Sequence, residues 1–324
     1  MELDKFIKLK NRKKIFTPGP SSLLKENILG LGPCFGRGDK DYQDVENKVI
    51  YMLKKICGQK SLVSMQGSAS LALEIACANF FKGKVLIVTT GYYSDRLYKM
   101  CVLAMKQYGY IKKIEKMSWR EINNNNKKKN FDWIWSCVTE TSVGLKIPIK
   151  DLKRLAIKLK SKLALDATGS IGLEKDHHLA DVLSFSSCKG LFGLTGASFI
   201  GYKLKPKNNV NSFYLNIENH ISKIVTRPYH TIQSLYNVLK NYNKIKRTVK
   251  VNKKLAVKKF KKYLIYSSRY QPLLCTYLKK NIINKNKNII LYKPRISIDG
   301  TVLSHLGEAH LGNSARGTIL KILK

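Results

Sequence analysis

The chain has 324 residues, 60 Lys and Arg against 21 Asp and Glu, a formal net charge of +39 and a hydrophobic fraction of 44%. A chain of this length can bury a large core, and its apolar fraction is too high for a disordered polar tail. No apolar run reaches the roughly 20 residues of a membrane span, and the charged N-terminus lacks the apolar stretch of a secretion signal. Seven scattered cysteines without CxxC spacing favour neither disulfides nor a zinc site, so we expect a cytoplasmic protein.

The positive charge has two interpretations. A nucleic acid or an anionic membrane would be a natural partner for it. However, the excess is mostly Lys spread along the chain, together with abundant Asn and Ile, as in NNNNKKKN at 123–130 and KNIINKNKNII at 280–290. Nucleic-acid binders usually concentrate charge in one stripe and use Arg for bidentate contacts. We therefore favour drift towards A/T-rich codons and predict no nucleic-acid and no membrane partner; a basic face, if present, would lie at 247–263.

Helix and strand patterns alternate through the middle of the chain. Helical spacing of apolar residues covers 44–56, which ends at Gly58, and then 68–81, 94–108 and 151–160. Short apolar runs predict strands at 61–65, 84–88, 133–138, 163–165, 182–185 and 197–202. This alternation is typical of an α/β fold with a mostly parallel sheet covered on both faces.

The pattern changes near residue 231. A long basic helix over 232–264 leads into a smaller unit that ends in a helix near 315–323. We therefore predict a large α/β domain over residues 1–235, followed by a linking helix and a small α/β C-terminal domain over residues 236–324.

Ligands of open parallel sheets bind beyond the carboxyl ends of the strands. After the first apolar strand, residues 66–70 (QGSAS) open a helix, whose free N–H groups and dipole favour an anion such as phosphate. A simple N-cap is the alternative. After the next strand, Tyr93 is placed to stack on a planar ligand or to pack in the core. The polar residues 139–144 follow a later strand and are either ligand contacts or loop caps.

Asp166 and Lys189 follow two further strands that are successive in the chain, so both can face one pocket. A buried Asp is costly unless it is paired; a cationic ring nitrogen would pair with it, although it could equally cap a loop or helix. A Lys at the end of a core strand is poorly placed for solvation, and a desolvated amine is suited to Schiff-base chemistry. A phosphate cradle, a stacking ring, an acid and such a Lys are together what pyridoxal 5′-phosphate requires.

These segments resemble the class V aminotransferases of the fold-type I pyridoxal-phosphate enzymes, and among them the 2-aminoethylphosphonate–pyruvate aminotransferases. The resemblance runs from Phe16 to the C-terminus and is best over 16–235. It rests on motifs in the family's order: TPGP at 17–20, Cys34 with DKDY at 39–42, QGSAS at 66–70, GYYSDR at 91–96, ETSVG at 140–144, DATGSIG at 166–172, SSCKG at 186–190 and RPYHT at 227–231.

The resemblance implies a transaminase that acts on a small-molecule amine and a 2-oxo acid, converting 2-aminoethylphosphonate and pyruvate into phosphonoacetaldehyde and alanine. It makes Lys189 the Schiff-base residue and Asp166 the partner of the ring nitrogen, and it places Gly19 at the substrate. The cofactor-binding set that it implies is Gly67, Ser68, Ala69, Ser70, Tyr93, Thr141, Asp166, Lys189 and Thr231. Thr231 corresponds to a residue that reaches the phosphate of the partner subunit's cofactor, so a homodimer with shared sites is implied.

One segment departs from the family. Its members carry an Arg in an RIGxxG segment near the C-terminus that clamps the acid group of the substrate. In one alignment Arg295 takes that place. In the alignment that we prefer, residues 305–308 match the end of the motif, Leu303 or Ser304 replaces the Arg, and the clamp is lost.

Other functions stay open. An alanine- or serine–glyoxylate-type transaminase or a lyase would share the cofactor site. A desulfurase needs a catalytic Cys in a mobile loop after the Lys, where only Cys275 could serve, in a segment that we predict to be helical. A catalytically weakened binding protein and a Lys-rich nucleic-acid binder are further alternatives. The histidines show no metal-ligand spacing, so we predict no metal site.

Overall fold

The computed structural model describes residues 5, 13–21, 23–33, 36–124, 130–284, 286–307, 309, 320 and 323. Within them the strands are β1 (Lys14–Phe16), β2 (Ser61–Gln66), β3 (Gly83–Thr89), β4 (Ile111–Ser118), β5 (Trp133–Cys137), β6 (Thr139–Glu140), β7 (Leu145–Lys146), β8 (Lys162–Asp166), β9 (Val182–Ser186), β10 (Ala197–Tyr202), β11 (Cys275–Leu278), β12 (Ile289–Leu291) and β13 (Thr301–Ser304).

The α-helices of the described residues are α1 (Lys25–Leu29), α2 (Lys40–Cys57), α3 (Ala69–Phe80), α4 (Tyr92–Tyr108), α5 (Ile149–Lys158), α6 (Ile217–Ile221), α7 (Tyr229–Lys240) and α8 (Tyr242–Lys259). Helix α2 begins four residues before the predicted start, because the Asp39 carboxylate caps it and accepts hydrogen bonds from the N–H groups of Asp41 and Tyr42. It ends at Gly58, as the sequence predicts, in the left-handed conformation typical of a C-cap.

A seven-stranded sheet in the order β2-β10-β9-β8-β5-β3-β4 forms the centre of the fold. Four neighbouring pairs are parallel, and β10 runs antiparallel to both of its neighbours. The predicted α/β class with a mostly parallel sheet is therefore confirmed. β4 was not predicted, because its sequence IKKIEKMS mixes charged and apolar residues; it lies at the sheet edge, where its three lysine side chains are exposed.

The sheet is buried on both faces. Along β3, the side chains of Val85 and Ile87 pack into one hydrophobic cluster, while those of Leu86 and Val88 pack into another on the opposite face. Trp135 of β5 belongs to the first of these clusters and is 1% exposed. Continuous burial explains why the central strands are mostly apolar, with a few buried serines, and why their charged side chains lie near or beyond the strand ends.

The segment after β10 differs from the sequence prediction. The single basic helix expected over 232–264 is two helices, α7 and α8, which meet at Asn241. The backbone of Asn241 leaves the helical region (φ −102°, ψ 9°), and this allows α7 to bury Leu235 and Val238 while α8 buries Ile245 and Val249. Most of the basic residues of α8 are exposed, as expected for a solvated face.

Three short pairings complete the described structure: β11 pairs antiparallel with β13, β1 pairs parallel with β12, and β6 pairs antiparallel with β7. Cys34 and most of the helix predicted near 315–323 lie outside the described residues. No helix in the described part of the chain combines the length and apolar character needed to cross a bilayer.

Replacement of a residue in the middle of the sheet tests this core. Leu86 is fully buried in β3, and Leu86→Ala should lower the free energy of unfolding by about 2–5 kcal/mol through lost contacts and a residual cavity. Leu103→Ala is the matched control, because Leu103 is 58% exposed and should change stability by only about 0.5 kcal/mol. Urea denaturation followed by circular dichroism measures both, and equal effects of the two variants would contradict the assigned core.

Candidate active site

The segment from Gln66 to Ser70 joins the end of β2 to the start of α3. Ser68 occupies the N-cap position, but its side chain makes no capping hydrogen bond. The Gly67 N–H donates to the Gly196 carbonyl over 3.0 Å, and the backbone of Gly67 has a φ of +156°, where a Cβ would lie 2.6 Å from the Leu71 side chain. Glycine is therefore required here, and the turn presents the first N–H groups of a twelve-residue helix at the sheet edge.

Arg96 adds a positive charge to this helix start. Its Nη1 donates to the Ser70 hydroxyl over 3.0 Å, and its guanidinium lies 5.1 Å from the centre of the Tyr93 ring. Its Nε is buried and has no hydrogen-bond partner among the described residues. The sequence interpretation did not assign Arg96 a role. The signal for it was the spacing of three residues from Tyr93, which places both side chains on one face of the first turn of α4.

The Lys189 amine lies over the face of the Tyr93 ring, 5.3 Å from its centre. Lys189 follows β9 by three residues, so its position depends on the loop beyond the strand. The N-terminal segment packs against that loop: the Ser21 N–H donates to the Cys188 carbonyl over 2.8 Å. Gly19 has a φ of +145°, and a Cβ there would lie 2.8 Å from Lys189 Cγ, so only glycine allows this approach.

Asp166 is the last residue of β8 and is 2% exposed. Its Oδ1 accepts a hydrogen bond from the Thr168 N–H at 2.9 Å. A carboxylate buried to this degree is costly without a cationic or hydrogen-bonding partner for its remaining lone pairs. The nearby Thr168 hydroxyl is also buried without a partner among the described residues.

Glu140 organises two loops of the site, a role that the sequence interpretation missed. It is fully buried, and its Oε2 accepts from the Tyr93 and Ser94 N–H groups and from the Thr90 hydroxyl. Its Oε1 accepts from the Ser142 N–H and hydroxyl. Burial raises the pKa of Glu140, while these hydrogen bonds oppose the rise. The carboxylate thus fixes the backbone of Tyr93 and, through Ser142, the loop that carries the buried Thr141.

Four charged groups converge around the buried thiol of Cys137 at the end of β5. Burial is the main cause that raises the pKa of this thiol well above its ordinary value. The charges of Asp166 and Glu140 raise it further, and those of Lys189 and Arg96 lower it. Side chains from four separate stretches of sequence therefore meet at one edge of the sheet.

Thr231 lies near the same edge. Its hydroxyl donates to the Thr195 carbonyl over 3.1 Å, and a Cβ added at Gly196 would lie 3.5 Å from the same hydroxyl. The Gly196 carbonyl in turn accepts the hydrogen bond from the Gly67 N–H. Within one chain, Thr231 is thus linked by backbone contacts to the loop at the start of α3.

The C-terminal segment reaches the site through two side chains. Tyr292 is half-buried; burial and its proximity to Tyr93 raise the pKa of its hydroxyl. The exposed Arg295 guanidinium lies 5.8 Å from the Tyr92 ring centre, and hydrogen bonding to Tyr92 raises its pKa. By contrast, Leu303 and Ser304 are buried within β13, where the Ser304 hydroxyl donates to the Leu274 carbonyl over 3.4 Å.

Cys275 does not match the nucleophile of a desulfurase. The residue begins β11, so the expected helical context is wrong. It is fully buried, and burial raises the pKa of its thiol to about 12. A protonated thiol in a strand is the opposite of a reactive thiolate on a mobile loop.

The residues present fit pyridoxal phosphate. Its phosphate matches the start of α3 with the Arg96 charge beside it, and its ring nitrogen matches the buried Asp166. The Thr168 hydroxyl and the Arg96 Nε, which lack partners among the described residues, are polar groups that such a ligand would satisfy.

Comparisons with known proteins agree with this fit. No protein-family model matches the chain. A 2-aminoethylphosphonate–pyruvate transaminase of Pseudomonas aeruginosa is 23% identical over 250 residues, covering 70% of this chain and 67% of that protein. A protein of the same name from Bacillus mycoides is 23% identical over an alignment that covers 93% of this chain and 94% of that protein.

Solved structures share the fold. An alanine–glyoxylate aminotransferase from Nostoc superimposes with a TM-score of 0.77 at 16% identity, covering 96% of this chain and 93% of that one. A phosphoserine aminotransferase from Cytophaga hutchinsonii superimposes with a TM-score of 0.78 at 17% identity, covering 96% and 98%. The chain thus has the fold of pyridoxal-phosphate-dependent aminotransferases of fold type I, and its sequence is similar to those of 2-aminoethylphosphonate–pyruvate transaminases.

Proposed function

We propose that this enzyme transfers the amino group of 2-aminoethylphosphonate to pyruvate, within phosphonate metabolism. The observation that carries the proposal is the Lys189 amine over the Tyr93 ring, with the buried Asp166 and the start of α3 at the same sheet edge. The names of the relatives supply the substrate pair.

The phosphate of the cofactor would be held by the turn at the start of α3. Gly67, Ser68, Ala69 and Ser70 supply backbone N–H groups and hydroxyls there, and the Arg96 guanidinium supplies the charge. Glu140 keeps the Tyr93 backbone in place, so that the ring is a fixed stacking surface.

Three residues would act on the reacting part of the cofactor. Asp166 would pair with the ring nitrogen and keep it protonated, because a buried carboxylate favours a cationic neighbour. Thr141, buried on the loop that Glu140 anchors, would contact the cofactor. Lys189 Nζ would hold the cofactor covalently and, when released, move a proton at the substrate carbon that bears the amino group.

Bound pyridoxal phosphate supplies an electrophilic carbon for amines and a ring that accepts electrons. The chain's own contribution is to fix that group against Tyr93 and to keep the proton-transferring amine of Lys189 close to its face. Gly19 packs closely against the Lys189 side chain, which would place it near the substrate.

The rim of the site, formed by Tyr92, Tyr292 and Arg295, suits an anionic substrate. Arg295 stands at the Tyr92–Tyr93 pair and Tyr292 presents a hydroxyl there, so a phosphonate would meet one cation and one donor. The net charge of +39 would add a modest attraction for such an anion. On this proposal Arg295 takes the clamping role that the preferred sequence alignment had left vacant.

We also propose a homodimer with shared sites, as the family resemblance implies. Its support here is a set of exposed apolar side chains between β10 and α7, close to the loop at Gln66, to which the Tyr214 hydroxyl is bonded. They are Phe213, Tyr214, Ile221 and Ile224. Such a patch on a monomer is unfavourable in water and is typical of an interface.

Two variants test the assigned roles of Lys189 and Asp166. Lys189→Ala should abolish transamination and the yellow absorbance of the purified protein, because no amine remains to hold the cofactor. Asp166→Asn should keep the cofactor but lower the rate on the order of a hundredfold, the scale expected when one preorganised electrostatic partner is lost. The exposed-residue controls Lys205→Ala and Asp299→Asn should match the wild type. A colourless wild-type protein that binds no pyridoxal phosphate would refute the assignment.

A half-reaction screen tests the substrate. Aminoethylphosphonate, alanine and serine are added separately to the cofactor-loaded protein. The rate at which each amine removes the yellow absorbance of the bound cofactor is measured. Aminoethylphosphonate should react fastest, and Arg295→Ala should raise its KM by about tenfold while leaving alanine little affected. Faster reaction with alanine or serine than with the phosphonate would favour a glyoxylate-type transaminase instead.

Mixing two inactive variants tests the dimer. Lys189→Ala and Thr231→Ala chains, refolded together, should regain activity if Thr231 acts on the partner's cofactor, because one mixed site keeps both residues. Each variant alone provides the baseline. A sedimentation mass of one chain at micromolar concentration would rule the dimer out.

A further inference from the structure

A second polar cavity lies away from the candidate active site. It has a volume of about 280 Å³ and is lined by α2, the first half of β2 and the segment that leads to α7. Ser61 and Leu62 line it, whereas Gly67 of the candidate active site follows the other end of the same strand. The lining residues of β2, Ser61 to Val63, precede Gly67 by six to four residues of extended chain, a distance of roughly 13 to 20 Å.

The floor of this cavity is a buried charge cluster. Arg227 is 7% exposed, and its Nη2 lies 2.8 Å from Oε1 of Glu46 and 2.5 Å from the Ser64 hydroxyl. The Lys223 amine lies 3.3 Å from the other Glu46 oxygen, and the Tyr42 hydroxyl donates to Glu46 over 3.3 Å. Lys54 also lines the cavity. The lining therefore carries three cations and one carboxylate, a local excess of positive charge.

Two buried polar atoms of the lining lack a partner within the described chain. One is Nε of Arg227, which is always a donor. The other is Nδ1 of His220, a residue that is 1% exposed. The His220 Nε2 lies 2.8 Å from the Tyr214 carbonyl, which can only accept, so Nε2 carries the hydrogen. Burial lowers the pKa of His220 and favours the neutral ring, whose Nδ1 is then an acceptor.

A ligand that satisfies both atoms must supply a negatively charged acceptor for Arg227 Nε and a hydrogen-bond donor for His220 Nδ1. Leaving both atoms unsatisfied in a buried position would be costly, and a cavity of this size has room for a small molecule that supplies both. Sulfate offers only acceptors at neutral pH, whereas hydrogen phosphate carries acceptor oxygens and a hydroxyl.

We propose that this cavity, formed around Arg227 and His220, binds a small oxyanion that carries a hydroxyl group, for which inorganic phosphate is the probe. The anion would bind the Arg227 guanidinium and Lys223, and its hydroxyl would donate to Nδ1 of His220. The site is separate from the cofactor-binding edge and does not depend on which amine the enzyme uses.

Isothermal titration of phosphate and of sulfate into the cofactor-loaded protein, at constant ionic strength and neutral pH, tests the site. Phosphate should bind at one site beyond the cofactor, about tenfold more tightly than sulfate, the scale of one hydrogen bond at a buried group. Absence of phosphate binding, or equal affinity for the two anions, would overturn the proposal.

Variants locate the binding. Arg227→Lys keeps a cation for Glu46 but removes Nε, and it should weaken phosphate binding about tenfold. His220→Phe keeps a ring but removes Nδ1, and it should erase the preference for phosphate over sulfate. Arg295→Ala is the control at the proposed substrate rim and should bind phosphate as the wild type does. Loss of binding in Arg295→Ala, with retention in Arg227→Lys, would place the phosphate at the substrate site and refute the inference.

Circular dichroism shows whether each variant is folded. If Arg227→Lys does not fold, the His220→Phe variant tests the proposal by itself. An unchanged preference for phosphate over sulfate in that variant contradicts the proposed contact with His220 Nδ1.

Discussion

The whole site depends on burial of the central sheet on both faces. Helices cover each side, so the inner strands carry mostly apolar residues, and a charged group is accommodated where a strand ends. Asp166 ends β8, and Lys189 follows β9 in the neighbouring position of the sheet. Because these strands are parallel, their ends meet at one edge. The same packing that stabilises the fold thus brings an acid and an amine together.

Glu140 provides the internal support for that edge. A buried carboxylate without partners would destabilise the fold, but this one accepts hydrogen bonds from two loops and so becomes a fixed link between them. Tyr93 gains a fixed backbone in this way. The Lys189 amine then lies over a ring whose position the surrounding backbone determines, and Gly19 packs against the stem of the Lys189 side chain.

The charge of the chain has a smaller role than its size suggests. Most basic residues of α8 are on its exposed face, while the basic groups that contact the sites are few and individually placed. Arg96 contacts the start of α3, Arg295 the Tyr92 ring, and Arg227 the buried Glu46. These three are arginines in a chain whose excess charge is mostly lysine, as expected where a planar group must make directed hydrogen bonds.

The sequence by itself determined the alternation of helices and strands, the strand ends and the order of the motifs, because apolar periodicity and small-residue turns are local properties. That Lys189, Asp166 and Tyr93 lie at or beyond the ends of strands could be predicted from their places after apolar runs. The tertiary structure decided what depends on long-range contacts. β4 forms because a neighbouring strand pairs with its mixed sequence, and the basic helix divides at Asn241 because each half packs on different residues. Glu140 and Arg227 acquire their roles from partners some 46 to 181 residues distant, and no local pattern carries that information.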